Sequence, residues 1–537
     1  MAYKKWTRRG CNESILAAVE TLSKLNKQEL VAPKDTSPED IEGMVEAAAR
    51  IKNAIKQKEP ITIFGDYDAD GVCSLAILFL LFKYFEVTPT IRVPKRMSEG
   101  YGVSEAFIDE VPAGLLITVD NGIAAIKAIK KAKDKGLSVI VLDHHLPGDE
   151  LPAADILIDP HVHPDKNGYE DFCGGGLSYK LAQMLLPKAE NILLSKLSAM
   201  AAIATIADVV PLTGANRVIV QEGLRAINRR EVTAGLKGLL EACQFTTVNE
   251  ENIAFKLAPV LNAAGRILDD GARYSSGCLV QDSKPVPALA AKLLETNTKR
   301  KEIVEAAYQR IIEQVGDIQE APLVVYDASL HEGVVGIVAG KLAEQYNMPA
   351  FVFSGEGHEL HGSGRSAGGV HLRDLAAKAS DLLIQFGGHA GAVGLTIEKD
   401  NISAFLKRLQ DEIKEFSFSA PDELLYDVVI SQEEVCGAIQ ELAQYAPYGE
   451  HNPKPVFLVQ DIELFQRFGS YAKYMGKSGE HVKLTALGYS LVGFGLSERY
   501  KALGEPTTVD VVGRLGMNES VFGSFPQVEI IDIRPAG

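Results

Sequence analysis

The segment ITIFGDYDADGVCSLAILFLLFKYF (61–85) opens with a short, mainly apolar run, Ile61–Phe64, and turns at Gly65. It then passes through alternate aspartates, Asp66, Asp68 and Asp70, into a longer apolar stretch, Ser74–Phe85. The short run reads as a buried strand and the long one as a buried helix. In an extended segment, residues i, i+2 and i+4 point to one side, so the three carboxylates are expected to converge. Carboxylates held that close repel unless a divalent cation sits among them. An EF-hand also opens D-x-D-x-D-G, but its twelfth position must be a bidentate Glu. Here that position is Ile77, inside the apolar helix, so the EF-hand reading fails.

The same texture continues outward. Leu115–Val119 precedes the helix-like Ala124–Lys135, Val139–Leu142 and Ile156–Ile158 follow, and Ser195–Ala207 is a further apolar helix. Short strands alternating with helices predict a parallel α/β sheet, whose ligands gather at the carboxyl ends of the strands. Asp120 (TVDNG) ends one predicted strand; Asp143, His144 and His145 (VLDHHLP) end another; Asp208 (IADVVPL) closes a helix. Singly, each Asp reads as well as a helix cap. Jointly they supply hard oxygen ligands plus one imidazole, which suits Mn²⁺ or Mg²⁺ better than Zn²⁺. Asp143 reads as a residue that orients its neighbouring histidine.

Residues 216–318 read as helical, ending in the amphipathic Pro287–Val315, whose charges Lys299, Arg300 and Lys301 are taken as a solvated face. A second α/β pattern begins at Leu323–Tyr326. Helix Val335–Gln345, strand Ala350–Phe353, a glycine-rich turn at 362–369, helix Leu372–Ile384 and strand Val393–Ile397 continue it. The texture changes at Ser417–Pro421. Residues 425–537 hold many short β-like runs, which suggest a small β-barrel. The expected units are therefore 1–215, 216–318, 319–420 and 421–537.

Composition narrows the function. The 537 residues carry 55 Lys and Arg against 71 Asp and Glu, a net charge of −16, which argues against coating nucleic acid by bulk charge. No two of the six cysteines form a C-x-x-C, so neither a zinc knuckle nor a disulfide framework is indicated. No apolar signal core follows the basic N-terminus. The most apolar stretch, Leu75–Phe82, is far short of the roughly 20 residues a membrane span needs. A cytoplasmic protein with no membrane contact is expected.

The motifs DYDADG, VDNG, DHH and ADVVPL, in this order, resemble the DHH phosphoesterase family, and within it the single-strand-specific 5′→3′ exonuclease branch. LNAAGRI (261–267), HEGVVGIVAGKL (331–342), GSGRS (362–366) and GGHAGAVGL (387–395) extend the resemblance into a DHH-associated second domain. The resemblance implies two divalent cations, Mn²⁺ or Mg²⁺, held by Asp68, Asp70, Asp120, His144 and Asp208. Asp120 would bridge them and Asp66 would be a further ligand or an outer residue. Asp68, Asp120 and His145 would be catalytic, with His145 facing the scissile phosphate. Arg96, Arg266, Ser363, Arg365 and His389 would contact the substrate backbone and its 5′ end, as guanidinium forks among glycines suit phosphate. An OB-fold would begin near 446–457. Within it Arg467, Tyr471, Lys473, Tyr474 and Lys477 interleave cations with aromatics, as single-strand binding requires.

The function this implies is metal-dependent hydrolysis of single-stranded DNA, 5′ to 3′, to 5′-mononucleotides in repair and recombination. The residues alone argue for metal-assisted phosphoester hydrolysis and do not separate DNA from RNA. Two alternatives stand beside it: a DHH phosphodiesterase on short oligonucleotides or cyclic dinucleotides, and an inactive replication scaffold of the same fold. A helicase or a single-strand-binding protein is the candidate protein partner, and a monomer is expected. Two nucleotide-loop matches are set aside. GSGRSA (362–367) lacks an acid at a following strand end, and GIVAGKL (336–342) lacks the spacing and the Ser or Thr.

Overall fold

The computed structural model describes every residue except 1–4, 11–12, 97, 101, 188, 285, 317–319, 416–422, 468 and 521–522. Cys11, Phe468 and the texture change at Ser417–Pro421 therefore lie outside the described residues. Strand β1 (Lys5–Arg8) and helix α1 (Ile15–Ser23) come first but do not join the first sheet. That sheet runs in the order β3–β2–β4–β5–β6 and is parallel throughout: β2 (Ile61–Phe64), β3 (Thr90–Arg92), β4 (Leu115–Val119), β5 (Ser138–Leu142) and β6 (Ile156–Ile158). Every residue of β2 and β4 is buried, as the unbroken apolar runs require of strands covered on both faces. Helix α2 (Ala69–Tyr84) follows β2 and is apolar nearly all round, so it sits in the core. Helices α3 (Gly174–Leu185), α4 (Asn191–Ala207) and α5 (Gly214–Asn228) pack around it.

The connecting region is helical, as expected. It includes α6 (Ala258–Ile267), entered through a π-turn at Ile253–Leu257, and the long α7 (Pro287–Val315). The second sheet runs β10–β11–β9–β8–β7, with β7 (Leu323–Tyr326), β8 (Ala350–Ser354), β9 (Glu359–Arg365), β10 (Leu383–Gly388) and β11 (Ala392–Glu398). Helix α8 (Val335–Tyr346) packs on it.

Two expectations fail here. The segment at 362–365 is strand, not turn. Its glycines are an alternating register in which Gly362 and Gly364 face Phe353 and Phe351, where a Cβ would come within 2.3 and 2.8 Å of the rings. Helix α9 (Leu372–Ala377) also stops well before Ile384. The apolar residues after it pair in β10 instead, Leu383 opposite Ile397.

The C-terminal region forms a seven-stranded sheet, β13–β14–β18–β19–β17–β16–β15. Its strands are β13 (Val428–Ser431), β14 (Phe457–Glu463), β15 (Ala472–Met475), β16 (His481–Ala486), β17 (Tyr489–Gly493), β18 (Thr508–Ser520) and β19 (Gly523–Pro535). Among the described residues no ladder joins the end strands β13 and β15.

The N-terminal segment packs on this unit. β1 pairs with β12 (Glu423–Tyr426), Trp6 Nε1 donates to Asp532 at 2.9 Å, and Ile15, Val19 and Leu30 enter the C-terminal core. Arg217 on α5 is fully buried and binds the junction. Its guanidinium donates to the carbonyls of Leu30, Tyr445, Ala446 and Pro447 at 2.6–2.9 Å. Arg217→Met leaves four carbonyls without a charged donor and is expected to cost about 3 kcal/mol, read as a lower chemical-denaturation midpoint. No change in that midpoint would contradict the role.

Candidate metal centre and phosphate cavity

The carboxyl ends of β2, β4 and β5 meet the end of α4, which brings together Asp66, Asp68, Asp70, Asp120, His144, His145 and Asp208. The route differs from the expected extended run. Asp68 is the N-cap of α2, its Oδ1 accepting the Gly71 N–H at 3.0 Å, and Asp70 already lies in the helix. The helix start thus swings Asp70 away from its two neighbours. Carboxylate oxygens of Asp66, Asp68 and Asp120 form one group, Asp70, His144 and Asp208 form a second, and Asp120, His144 and His145 a third that links the two, each with ligand atoms within 4.8 Å of one another. The groups touch where His144 Nε2 meets Asp120 Oδ1 at 3.1 Å and Asp70 Oδ2 at 3.6 Å. His144 Nδ1 lies 3.8 Å from Asp208 Oδ2.

Asp70 is held by a feature the sequence reading missed. Its oxygens accept the N–H groups of Gly174 and Gly175, both at 2.7 Å, at the start of α3. The run Cys173–Gly176 opening a helix was the available signal, because a helix N-terminus binds anions.

Burial and mutual repulsion push the carboxyls of Asp66, Asp120 and Asp208 well above the ordinary range, and burial raises Asp70. Burial lowers His144, which favours the neutral, ligating imidazole. Asp66 Oδ1 is buried with no hydrogen-bond partner. A buried, mutually repelling acid cluster with an unpartnered oxygen and a neutral imidazole fits divalent cations, whose positive charge reverses each of these penalties.

Asp143 does not point into any of these groups. Its Oδ2 accepts the Ile123 N–H and its Oδ1 binds His145 Nδ1 at 2.8 Å. Burial opposes the charge on His145, but the Asp143 hydrogen bond and charge outweigh it and lift the imidazole to about 9.

A cavity of about 260 Å³ is lined by Arg96, Arg266, Glu332, His361, Ser363 and Arg365, among others. Arg365 donates to Ser363 Oγ at 2.7 Å, and the Arg96 guanidinium lies 4.7 Å over the Tyr67 ring. Burial, then the charge of Arg96, lowers Arg266 to about 10, with Arg300 adding to the effect. Cations held at this cost, with no ion pair to a carboxylate among the described residues, mark a site for an anion. His361 and the nearby Arg300 were not anticipated; Arg300 had been read as part of a solvated face, yet burial lowers it too. His389 does not line the cavity. It is exposed at the β10–β11 turn, where its Nδ1 accepts the Gly391 N–H.

A larger cavity, about 760 Å³, lies beside the Asp208 turn, with Val209, Phe255, Tyr448 and Arg514 among its walls. It contains none of the candidate ligands.

In the C-terminal window Lys473 and Lys477 are exposed on or beside the end strand β15. The tyrosines are more occupied. Tyr471 and Tyr474 pack on the core, and Tyr474 donates to Glu505 at 2.8 Å with Lys501 over its ring. Phe465, an aromatic of the same window, is 43% exposed; Phe494, which the sequence reading did not select, is 58% exposed and packs edge-on with His481.

Comparison with known proteins places these features. Residues 60–206 match the DHH family N-terminal domain, 319–415 the DHHA1 domain and 426–532 the RecJ OB domain. The single-stranded-DNA-specific exonuclease RecJ of Escherichia coli is 32% identical over 450 residues, 78% of each chain. The chain belongs to the RecJ family.

The Bacillus subtilis RecJ is 36% identical over 516 residues, covering 92% of this chain, which spans 64% of that protein's length. The crystal structure of RecJ in complex with Mn²⁺ from Thermus thermophilus superposes with a TM-score of 0.80 at 28% identity, over 97% of this chain and 76% of that one. The same Thermus protein has a structure in complex with Mg²⁺. The parallel-sheet domain, the second α/β domain and the OB domain are thus those of a RecJ, and the acid and imidazole groups are of a kind that could hold the ions found in the Thermus protein. Among the described residues no helix is long and apolar enough to cross a membrane.

Proposed function

We propose that this chain is a metal-dependent exonuclease that hydrolyses single-stranded DNA from its 5′ end and releases 5′-mononucleotides. The observation that carries it is the adjacency of a buried two-part acid and imidazole cluster to an arginine-lined cavity. Divalent cations held by Asp66, Asp68, Asp70, Asp120, His144 and Asp208 would polarise the scissile phosphate, activate a water and offset charge on the leaving oxygen. Arg96, Arg266, Arg365 and Ser363 bind the terminal phosphate and orient the strand, which removes much of the entropic barrier. His145, braced by Asp143, faces the scissile phosphate and donates to the charge building on it.

Lys473, Lys477 and Arg467 track the outgoing strand at the C-terminal sheet. Residues 1–215, 216–318, 319–420 and 421–537 divide these tasks, with the segment up to Val31 assigned to the last unit. Action as a monomer, on strands supplied by a helicase or a single-strand-binding protein, completes the proposal. The test is digestion of linear and circular single strands of DNA and RNA with Mn²⁺ or with EDTA. Loss of linear DNA only, and only with metal, supports the function; equal loss of circles overturns it.

The Asp143–His145 pair also sets a pH dependence. His145 is raised from 6.5 to about 9, so the pair contributes stability that is fully present below pH 6.5 and is lost as pH rises through about 9. Asp143→Asn removes the acceptor charge. The alkaline loss of stability of the metal-free protein is then expected to set in nearer neutral pH, read as the thermal midpoint against pH, and an unchanged profile would separate His145 from Asp143.

A further inference from the structure

We propose that helix α6 is the spacer that fixes how far a strand's 5′-terminal phosphate lies from the aspartate loop, and that Asn262 is the positioning residue that locks it. The inference rests on the exonuclease reading above and adds to it the part of the fold that sets the length of the product.

Asn262 Oδ1 accepts the N–H of Ala69, which sits between Asp68 and Asp70, at 2.7 Å. This bond ties α6 to the start of α2 across 193 residues of sequence. Four residues further along α6, an axial advance of about 6 Å, stands Arg266, which lines the phosphate cavity and donates to the Gly333 carbonyl at 3.4 Å.

The helix is wedged on both sides. A Cβ on Gly265 would lie 2.6 Å from the carbonyl oxygen of Tyr67, inside the aspartate loop. A Cβ on Gly333, at the entry to the second α/β unit, would lie 1.8 Å from the carbonyl oxygen of Arg266. Neither approach leaves room for the helix to slide. Tyr67 in turn carries Arg96, a second cation of the cavity, over its ring. The loop that offers the ligands and two of the arginines that would hold the terminal phosphate are therefore fastened to one turn of one helix.

With that spacing fixed, the phosphodiester presented to the loop is the one nearest the 5′ end, and each cut releases a single nucleotide. With the fastening loosened, a second phosphodiester reaches the loop and dinucleotides appear.

The experiment compares wild type, Asn262→Ala, Gly265→Ala and Asn262→Asp on a 5′-phosphorylated single-stranded oligonucleotide with Mn²⁺, reading product length and the preference over a 5′-hydroxyl substrate. Asn262→Ala removes the acceptor, and Gly265→Ala pushes the loop away while keeping Asn262. Both are expected to release dinucleotides beside mononucleotides and to weaken the 5′-phosphate preference, while for Asn262→Ala a Mn²⁺ titration followed by thermal shift stays near wild type. Asn262→Asp keeps an acceptor oxygen for the Ala69 N–H and is expected to keep mononucleotides alone. A role in stability only would slow all variants without changing product length. Strictly mononucleotide products from both disrupted variants, with normal wild-type trimming, overturn the spacer and leave the nuclease reading intact. A wild-type chain that releases no mononucleotides overturns both.

Discussion

Asp120→Ala is expected to slow Mn²⁺-dependent hydrolysis of a single-stranded oligonucleotide by about 10³-fold, because metal-assisted charge stabilisation is worth several kcal/mol and each 1.36 kcal/mol is tenfold in rate. The same substitution is expected to raise the thermal midpoint of the metal-free protein. Asp120 is 2% exposed, and burial with the charges of Asp70, Asp68, Asp66 and Asp208 already holds its carboxyl well above the ordinary range. Removing it relieves repulsion when no cation is present. The gain in midpoint that Mn²⁺ gives the wild type should correspondingly shrink, since a ligand stabilises only the state that binds it. An ordinary core residue would show the opposite pattern, a lower midpoint with or without metal. Activity retained within tenfold would remove Asp120 from the metal centre.

Arg365→Ala is the second large effect. A hydrogen bond to a charged group is worth about 1.5–3 kcal/mol, so the variant should act roughly 10- to 10²-fold more slowly on a 5′-phosphorylated strand. It should act on a 5′-hydroxyl strand at nearly the wild-type rate. Arg365 is not a surface ion-pairing residue: its Nη1 donates to Ser363 Oγ and to the Gly364 carbonyl, and burial lowers its pKa. Its cationic function is left facing the cavity. Equal losses on both substrates would mean that Arg365 supports the fold of β9 and does not read the 5′ end.

Most of the metal centre was legible because its residues sit at strand and helix ends that hydrophobic periodicity marks. Asp120 after β4, the histidines after β5 and Asp208 after α4 all fall where the apolar runs stop. What the sequence hid depends on approach from elsewhere in the chain. The N–H groups of Gly174 and Gly175 reach Asp70 from 104 and 105 residues away, and Asn262 reaches Ala69 from 193.

The attachment of Lys5 to Glu423, 418 positions apart, leaves no local pattern at all. Arg300 was misread for a related reason. A basic run on an amphipathic helix usually faces water, and Lys299 and Lys301 do, but Arg300 is half-buried, its Nε donating to Asn297 Oδ1. At the C-terminus, alternation announced the strands but not their order, which depends on partners distant in the chain. Nor did it show that Tyr474 would be bonded to Glu505.

The central claim, a metal-dependent trimming of single strands from the 5′ end, is tested most directly by one substrate carrying different labels at its two ends. With Mn²⁺, the 5′ label should appear at once as a mononucleotide while the 3′ label stays on a strand that shortens with time. EDTA should abolish both changes. Early release of the 3′ label, or release of the 5′ label within longer fragments, would contradict the account.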